Sequence, residues 1–212
     1  MANGGSCDER RESRYTNSIR EQSMSSKVAI VTAAGSGMGA AIARKLASVD
    51  YRVAILSSSG RGEKLAAELG GIGVTGSNQN PDDLKRLVDL TIENFGGVDA
   101  LVNSAGHGPK GKILEISDDD WHSAMDVYFL NAVRMARLVT PIMESRGGGA
   151  IVNMCSIASI IGEPIVVAYA MAKGAIESLT RSVAVHCAHN KYNIRCNSVH
   201  PAGILTPMVE GI

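Results

Sequence analysis

Six short runs of strand length recur along the chain, most of them apolar on successive positions rather than alternate ones. They fall at 27–32 (Lys27, Val28, Ala29, Ile30, Val31, Thr32), 51–56, 72–75, 98–103, 150–155 and 194–199. A strand packed on both faces carries this pattern, because both sides of its pleat meet apolar neighbours. Between the runs the period becomes that of a helix. Ile42, Leu46 and Val49 share one side of a segment from about 38 to 49. Further helical segments cover about 62–69, 82–95, 118–145 and 167–189. Ser117, followed by Asp118, Asp119 and Asp120, supplies an N-cap with carboxylates facing the positive end of a helix dipole. Strand and helix alternate throughout, which predicts an α/β fold: a doubly wound parallel sheet of six strands in a single domain.

The first 26 residues follow neither period. They are polar, with charges at Asp8, Glu9, Arg10, Arg11, Glu12 and Arg14 and no hydrophobic stretch behind them. This predicts a flexible tail over 1–26, ahead of a domain over 27–212, and no secretory signal. A chain of 212 residues suits one domain, and 45% apolar with 20% charged residues is a globular composition. Twenty-one basic side chains cancel twenty-one acidic ones, and aromatics are only 4%. There is thus neither a basic field nor a stacking surface for nucleic acid. No apolar run approaches the ~18 residues of a membrane span. The four cysteines, Cys7, Cys155, Cys187 and Cys196, form no Cys-x-x-Cys pair. That argues against structural zinc and a disulfide framework, and for a reducing, cytoplasmic compartment.

The first candidate chemistry lies in the turn after the first strand. Thr32, Ala33, Ala34, Gly35, Ser36, Gly37, Met38, Gly39 and Ala40 lead directly into a helix, and Gly35, Gly37 and Ala40 keep a G-x-G-x-x-G/A spacing. Glycines let backbone approach a pyrophosphate, and a helix N-terminus offers unpaired N–H groups to its charge. The position predicts dinucleotide binding, against a purely structural tight turn. After the second strand, where a carboxylate would accept the ribose hydroxyls of NAD, stand Ser57, Ser58, Ser59, Gly60 and Arg61. Hydroxyls and a guanidinium suit a 2′-phosphate, so NADP is favoured over NAD.

These motifs, with those further along, resemble the short-chain dehydrogenase/reductase family from about Val28 to Met208. The family's Thr-Gly-x-x-x-Gly-x-Gly is met by Thr32, Gly37 and Gly39, with Ala33 at its first glycine and Gly35 within the loop. Its Asn-Asn-Ala-Gly is met by Asn103, Ser104, Ala105 and Gly106. Its serine matches Ser156, its Tyr-x-x-x-Lys matches Tyr169 and Lys173, and its Asn-x-x-x-Pro-Gly matches Asn197 and Pro201, with Ala202 for the glycine. Ile204 and Thr206 fall where the family contacts the nicotinamide carboxamide. A lone Tyr-x-x-x-Lys is weak evidence. The glycine turn, Asn103, Ser156 and Pro201 are stronger together, since all follow strand ends that line one crevice in an open parallel sheet.

The resemblance implies an oxidoreductase that moves a hydride between a nicotinamide cofactor and a carbonyl/secondary alcohol pair. Tyr169 is then the general acid or base, Ser156 the donor to the substrate oxygen, and Lys173 both the tuner of Tyr169 and a ribose ligand. A neighbouring ammonium is expected to lower the phenol's pKa. The stretch 194–201 is similar to hydroxysteroid and cyclic-alcohol dehydrogenases. Helices over 121–145 and 167–189 resemble the family's dimer surfaces, implying a homo-oligomer, dimer or tetramer. In register with Trp121, Val127 and Pro141, Tyr128 stands at the Asn that many members use in a proton relay, with Asn131 three residues on. Ser77 replaces an Asp near the adenine. Members usually continue beyond the position of Ile212, so the C-terminal part of the family fold is expected to be missing, leaving no lid and the sixth strand as an edge. The alternative is a catalytically impaired nucleotide-binding scaffold or sensor, or a structural partner of an active relative. His186 and His189 read as a solvated helix end rather than a metal site, and no metal is expected. Cys155 reads as an inert buried thiol, Met125, Met135 and Met143 as helix packing, and His107 as either a loop residue or part of the substrate mouth.

Overall fold

The structure is a computed structural model and describes residues 26–106 and 108–207; His107 and nearly all of the expected tail lie outside the described residues. The strands are β1 (Val28–Thr32), β2 (Arg52–Ser57), β3 (Ile72–Thr75), β4 (Ala100–Asn103), β5 (Gly149–Met154) and β6 (Ile194–Val199). All pair in parallel, in the order β3-β2-β1-β4-β5-β6. Chain order reverses between β1 and β4, so the crevice outside their carboxyl ends opens there. β6 is the edge on one side, as expected.

The intervening helices are α1 (Gly37–Ala47), α2 (Arg61–Glu68), α3 (Pro81–Phe95), α4 (Asp118–Ala124), α5 (Asn131–Ser145) and α6 (Val167–His189). Successive strand residues point to opposite faces. Ile30, Leu56, Leu101, Ile151 and Cys196 pack with Leu84 and Leu87 of α3, Met135, Val139 and Met143 of α5 and Cys187 of α6. Val31, Ile55 and Val102 pack on the other face with Ala43 of α1 and Leu65 of α2. A third cluster joins Ala124, Val127 and Tyr128 to Ala168, Ala172 and Ile176 of α6. The expected Ser117 cap forms a full capping box with Asp120.

The expected helix over 118–145 is interrupted. Met125–Leu130 form a π-helical turn between α4 and α5. The Asn78 side-chain amide, from the loop after β3, donates to the Val127 carbonyl at 2.8 Å. An intruding donor of this kind opens a helical ladder. Arg134 fastens the same junction, donating to the Gln79 carbonyl (3.0 Å) and to Asp126 (2.7 Å).

Candidate active site

The glycine turn has the shape an anion-binding loop needs. Ser36, the N-cap of α1, makes no side-chain cap, so the first N–H groups of the helix stay available. Gly37 takes a left-handed φ of 55°, and Thr206 lies against it: a Cβ there would sit 3.6 Å from the threonine methyl. Gly39 admits no side chain, since a Cβ would come within 2.6 Å of the Ala33 carbonyl. Met38 packs inward with the α1–β1 cluster. The residues present therefore fit a dinucleotide pyrophosphate.

Ala33, where the family pattern has glycine, is itself left-handed at φ 53°. A Cβ in that region costs roughly 1–2 kcal/mol, offset by about 0.4–1 kcal/mol of unfolded-state entropy for glycine. Ala33→Gly is expected to raise stability by about half to one kcal/mol, read as a melting temperature higher by roughly 1–4 °C. A lower melting temperature would mean that the alanine methyl packs better than its backbone suffers.

At the end of β2 the serines divide. Ser57 is buried, its hydroxyl facing Gly35 and accepting from the Ser59 N–H at 3.3 Å. Ser58 and Arg61 are exposed on the rim, and the Arg61 Nε donates to the Ser59 hydroxyl at 3.2 Å. Nothing in the spacing of Ser59 marks it as the guanidinium's anchor.

Asn103 is buried at the end of β4 and donates to Asn153 Oδ1 at 2.8 Å; Asn153 in turn donates to Thr180 at 2.9 Å. Thr32 accepts from the Ser104 N–H at 3.1 Å, tying the ends of β1 and β4. Ala105 is buried, and Gly106 lies against the Tyr128 ring.

Ser156 follows β5 with only 7% of its surface exposed, and its hydroxyl accepts from the Ala158 N–H at 3.2 Å. The segment leaving β6 clamps its backbone. Ile157 N–H donates to the Pro201 carbonyl (2.9 Å), and His200 Nδ1 lies 3.2 Å from the Ser156 carbonyl. The Ser159 hydroxyl donates to that carbonyl at 2.8 Å and meets His200 Nδ1 at 3.0 Å, while His200 Nε2 faces the Ser198 hydroxyl at 2.9 Å. This serine–histidine brace was invisible in the sequence, because its members lie on two segments about forty residues apart.

Tyr169 and Lys173 occupy consecutive turns of α6, facing Ser156. Burial pushes the Tyr169 phenol above its ordinary range, and the hydrogen bond from the Ser156 side chain pulls it part of the way back. The lowering by the lysine that the sequence led us to expect is not what these surroundings produce. Lys173 is itself buried, and desolvation pushes its pKa down to about 8. Its Nζ donates to the Met154 carbonyl at 2.6 Å. The adjacent Cys155 thiol is buried and donates to the Lys173 carbonyl at 2.9 Å.

Tyr128 stands beside this pair and Asn131 does not join it. The Tyr128 ring centroid is 4.9 Å from Lys173 Nζ, whereas Asn131 is 1% exposed with its Oδ1 lacking a partner among the described residues. Ile204 is exposed on the rim. His186 and His189 lie on the exposed end of α6, where His186 faces the Asn190 amide. Met135 and Met143 are core residues.

Comparison with known proteins gives concordant results. The family model for short chain dehydrogenase matches residues 27–212. Dehydrogenase/reductase SDR family member 4 of Caenorhabditis elegans is 38% identical over 192 residues, covering 87% of this chain and 73% of that protein. An NADP-dependent (R)-specific alcohol dehydrogenase of Lentilactobacillus kefiri is 34% identical over 192 residues, covering 88% and 76%. Among solved structures, L-sorbose reductase of Gluconobacter frateurii, complexed with NADPH and L-sorbose, aligns with a TM-score of 0.82 and 32% identity, covering 87% of this chain and 72% of that one. A 7α-hydroxysteroid dehydrogenase complexed with NADH and 7-oxo glycochenodeoxycholic acid aligns with a TM-score of 0.82 and 29% identity, covering 88% and 74%.

Proposed function

We propose, from the premise that this chain belongs to the short-chain dehydrogenase/reductase family, that Ser156, Tyr169 and Lys173 reduce an apolar ketone at the expense of NADPH. The class of activity follows from membership: the protein is an NAD(P)-dependent oxidoreductase of carbonyl and secondary alcohol substrates. One observation carries the assignment of residues. Ser156 and Tyr169 hydroxyls face each other beside a buried lysine, on the sheet edge that also carries the glycine turn.

NADP, when bound, supplies the hydride. Gly35, Ser36, Gly37, Met38 and Gly39 hold its pyrophosphate, Ser58 and Arg61 its 2′-phosphate, and Thr206, Pro201 and Ile204 border the nicotinamide end. Thr32, Ser57, Asn103, Ala105 and Gly106 shape the floor. The substrate oxygen accepts hydrogen bonds from Ser156 and Tyr169, and as charge grows on it the phenol gives up its proton. A phenol held above its ordinary range keeps that proton at neutral pH, which supports reduction over oxidation. Apolar side chains rim the mouth. Ile160 and Ile161 follow the Ser156 turn, Ile165 precedes α6 and Leu205 lies beyond β6, with exposures between 49% and 79%. They support a bulky hydrophobic ketone, in line with the likeness of 194–201 to hydroxysteroid and cyclic-alcohol dehydrogenases.

NADPH consumption followed with a panel of cyclic and open-chain ketones tests this. Turnover is expected, greatest with the apolar cyclic members. NADPH binding without turnover of any ketone would leave a scaffold. In the same assay Arg61→Ala is expected to raise the KM for NADPH about tenfold and leave that for NADH unchanged, since only the 2′-phosphate meets the guanidinium. The reading includes a cytoplasmic homo-oligomer, supported by the partly exposed Leu130 and Met171 on the helices that resemble family dimer surfaces. No described helix is long and apolar enough to cross a membrane.

A further inference from the structure

We infer that Tyr128 is a positioning residue for this site: its ring face carries the Lys173 ammonium through a cation–π contact. The inference rests on the role given to Lys173 above.

Lys173 is a nearly fully buried ammonium with three N–H donors, and its one hydrogen bond among the described residues goes to the Met154 carbonyl. A buried charge so thinly solvated needs another source of negative potential. Two aromatic faces supply it. The Tyr128 centroid lies 4.9 Å from Nζ and that of Tyr169 lies 5.6 Å away, both within cation–π range. The two rings meet edge to face, centroids 5.2 Å apart at 74°, so each fixes the other's tilt.

The Tyr128 ring is also gripped from its far side. A Cβ on Gly106 would come within 2.5 Å of its Cε1, and one on Gly108 within 2.6 Å of its Cε2. Both glycines therefore leave the slot that this ring takes. The Gly108 N–H donates to the Tyr128 hydroxyl. The π-helical turn that carries Tyr128 is pinned by Asn78 at the next residue back, Val127. Ring, slot and turn together hold one face against Nζ.

Among the described residues, the titratable groups acting on Lys173 are Tyr169 on its own helix, Tyr128 opposite and Cys155 at the end of β5. Burial pushes the Tyr128 phenol up, so it stays protonated and acts through its quadrupole rather than as an anion. A ring of normal electron density favours the charged lysine. Withdrawing that density favours the neutral one.

Replacing Tyr128 by phenylalanine and then by its mono-, di- and trifluorinated counterparts changes the ring's potential with little change of shape, so folding is preserved across the series. The readout is the titration of the Lys173 side chain, followed by carbon-13 NMR at Cε in the cofactor-free protein and assigned by its absence in Lys173→Met. Tyr128→Phe is expected to keep the midpoint near the wild-type value. Fluorination lowers it stepwise, by roughly half to one pH unit at three fluorines. The alkaline limb of kcat for ketone reduction moves down in parallel, with the ketone KM unchanged. A midpoint indifferent to fluorine overturns the inference. So does a full drop already present in Tyr128→Phe, which would assign the effect to the hydroxyl. Graded titration in a protein without turnover would uphold the contact while removing the proposed reaction.

Discussion

Tyr169→Phe is expected to lower kcat for ketone reduction by about a thousandfold while leaving NADPH affinity within a factor of two. The variant removes one oxygen and nothing else. That oxygen is the phenol facing Ser156, the group that gives its proton to the substrate oxygen in the proposed reaction. Positioned general acids contribute roughly 10²–10⁴-fold, and a carbonyl accepting a hydride without one must draw its proton from water. The ring remains, so its edge contact with Tyr128 and its place over Lys173 persist. The loss to stability is one hydrogen bond, about 1 kcal/mol. Steady-state kinetics with NADPH fluorescence titration as the binding control checks this. A variant keeping a tenth of the wild-type rate would take the phenol out of the mechanism.

The raised phenol pKa has a direction that can be tested in the wild type. Reduction uses the protonated form, and its activity persists with rising pH as far as Tyr169 itself is concerned. Alcohol oxidation uses the phenolate and gains as pH rises. Any earlier alkaline decline in reduction belongs to Lys173, which loses its charge near pH 8.

Where a reading depended on near neighbours in the chain, sequence carried it far. The first strand run is visible because burial on both faces leaves it almost wholly apolar, and Val28 to Thr32 are buried without exception; β6, at the sheet edge, instead mixes buried Ile194 and Cys196 with exposed Arg195 and Asn197. The Ser117 cap is visible because its partner Asp120 is three residues away. Boundaries set from a distance were less legible. The run at 98–103 gives way to a strand starting only at Ala100, because Asp99 is drawn aside to accept from the Val28 N–H and to pair with Arg146. The break at Met125–Leu130 comes from Asn78, 49 residues upstream of the carbonyl it takes.

The site divides along the same line. Ser156, Tyr169 and Lys173 are recognised by type and spacing, and the fold brings them to one edge. The choice between Tyr128 and Asn131 was not open to spacing, since it turns on glycines at 106 and 108 leaving room for a ring. The inward turn of Ser57 was hidden for the same reason: it answers to Gly35 across the crevice, and its sequence neighbours Ser58 and Ser59 look identical to it on paper.

Lys173→Met separates what the lysine does for chemistry from what it costs the fold. The folded protein holds this ammonium at a pKa of about 8 against an ordinary 10.5, a difference worth roughly 3 kcal/mol. The sign follows from proton counts. Below pH 8 both folded and unfolded chains are protonated here, and the folded state bears the whole cost of the buried charge. Between about 8 and 10.5 the unfolded chain binds more protons, so stability rises with pH, and above that range the cost is gone. Methionine has nearly the same length and no charge, so it escapes the cost and gives up one hydrogen bond to the Met154 carbonyl. The variant is therefore expected to be more stable than wild type at pH 7, by about 1–3 kcal/mol, with that advantage fading toward pH 10.5. Ketone reduction is expected to fall by about a hundredfold or more, because Tyr169 loses the neighbouring charge that would stabilise its phenolate as the proton leaves. Urea denaturation of both proteins at several pH values, paired with initial rates, reads the two effects separately. Equal stabilities at pH 7 and 10 would mean that water reaches Nζ and that the lysine is not held in a low-dielectric site. Wild-type rates in the variant would confine the ammonium to a structural part.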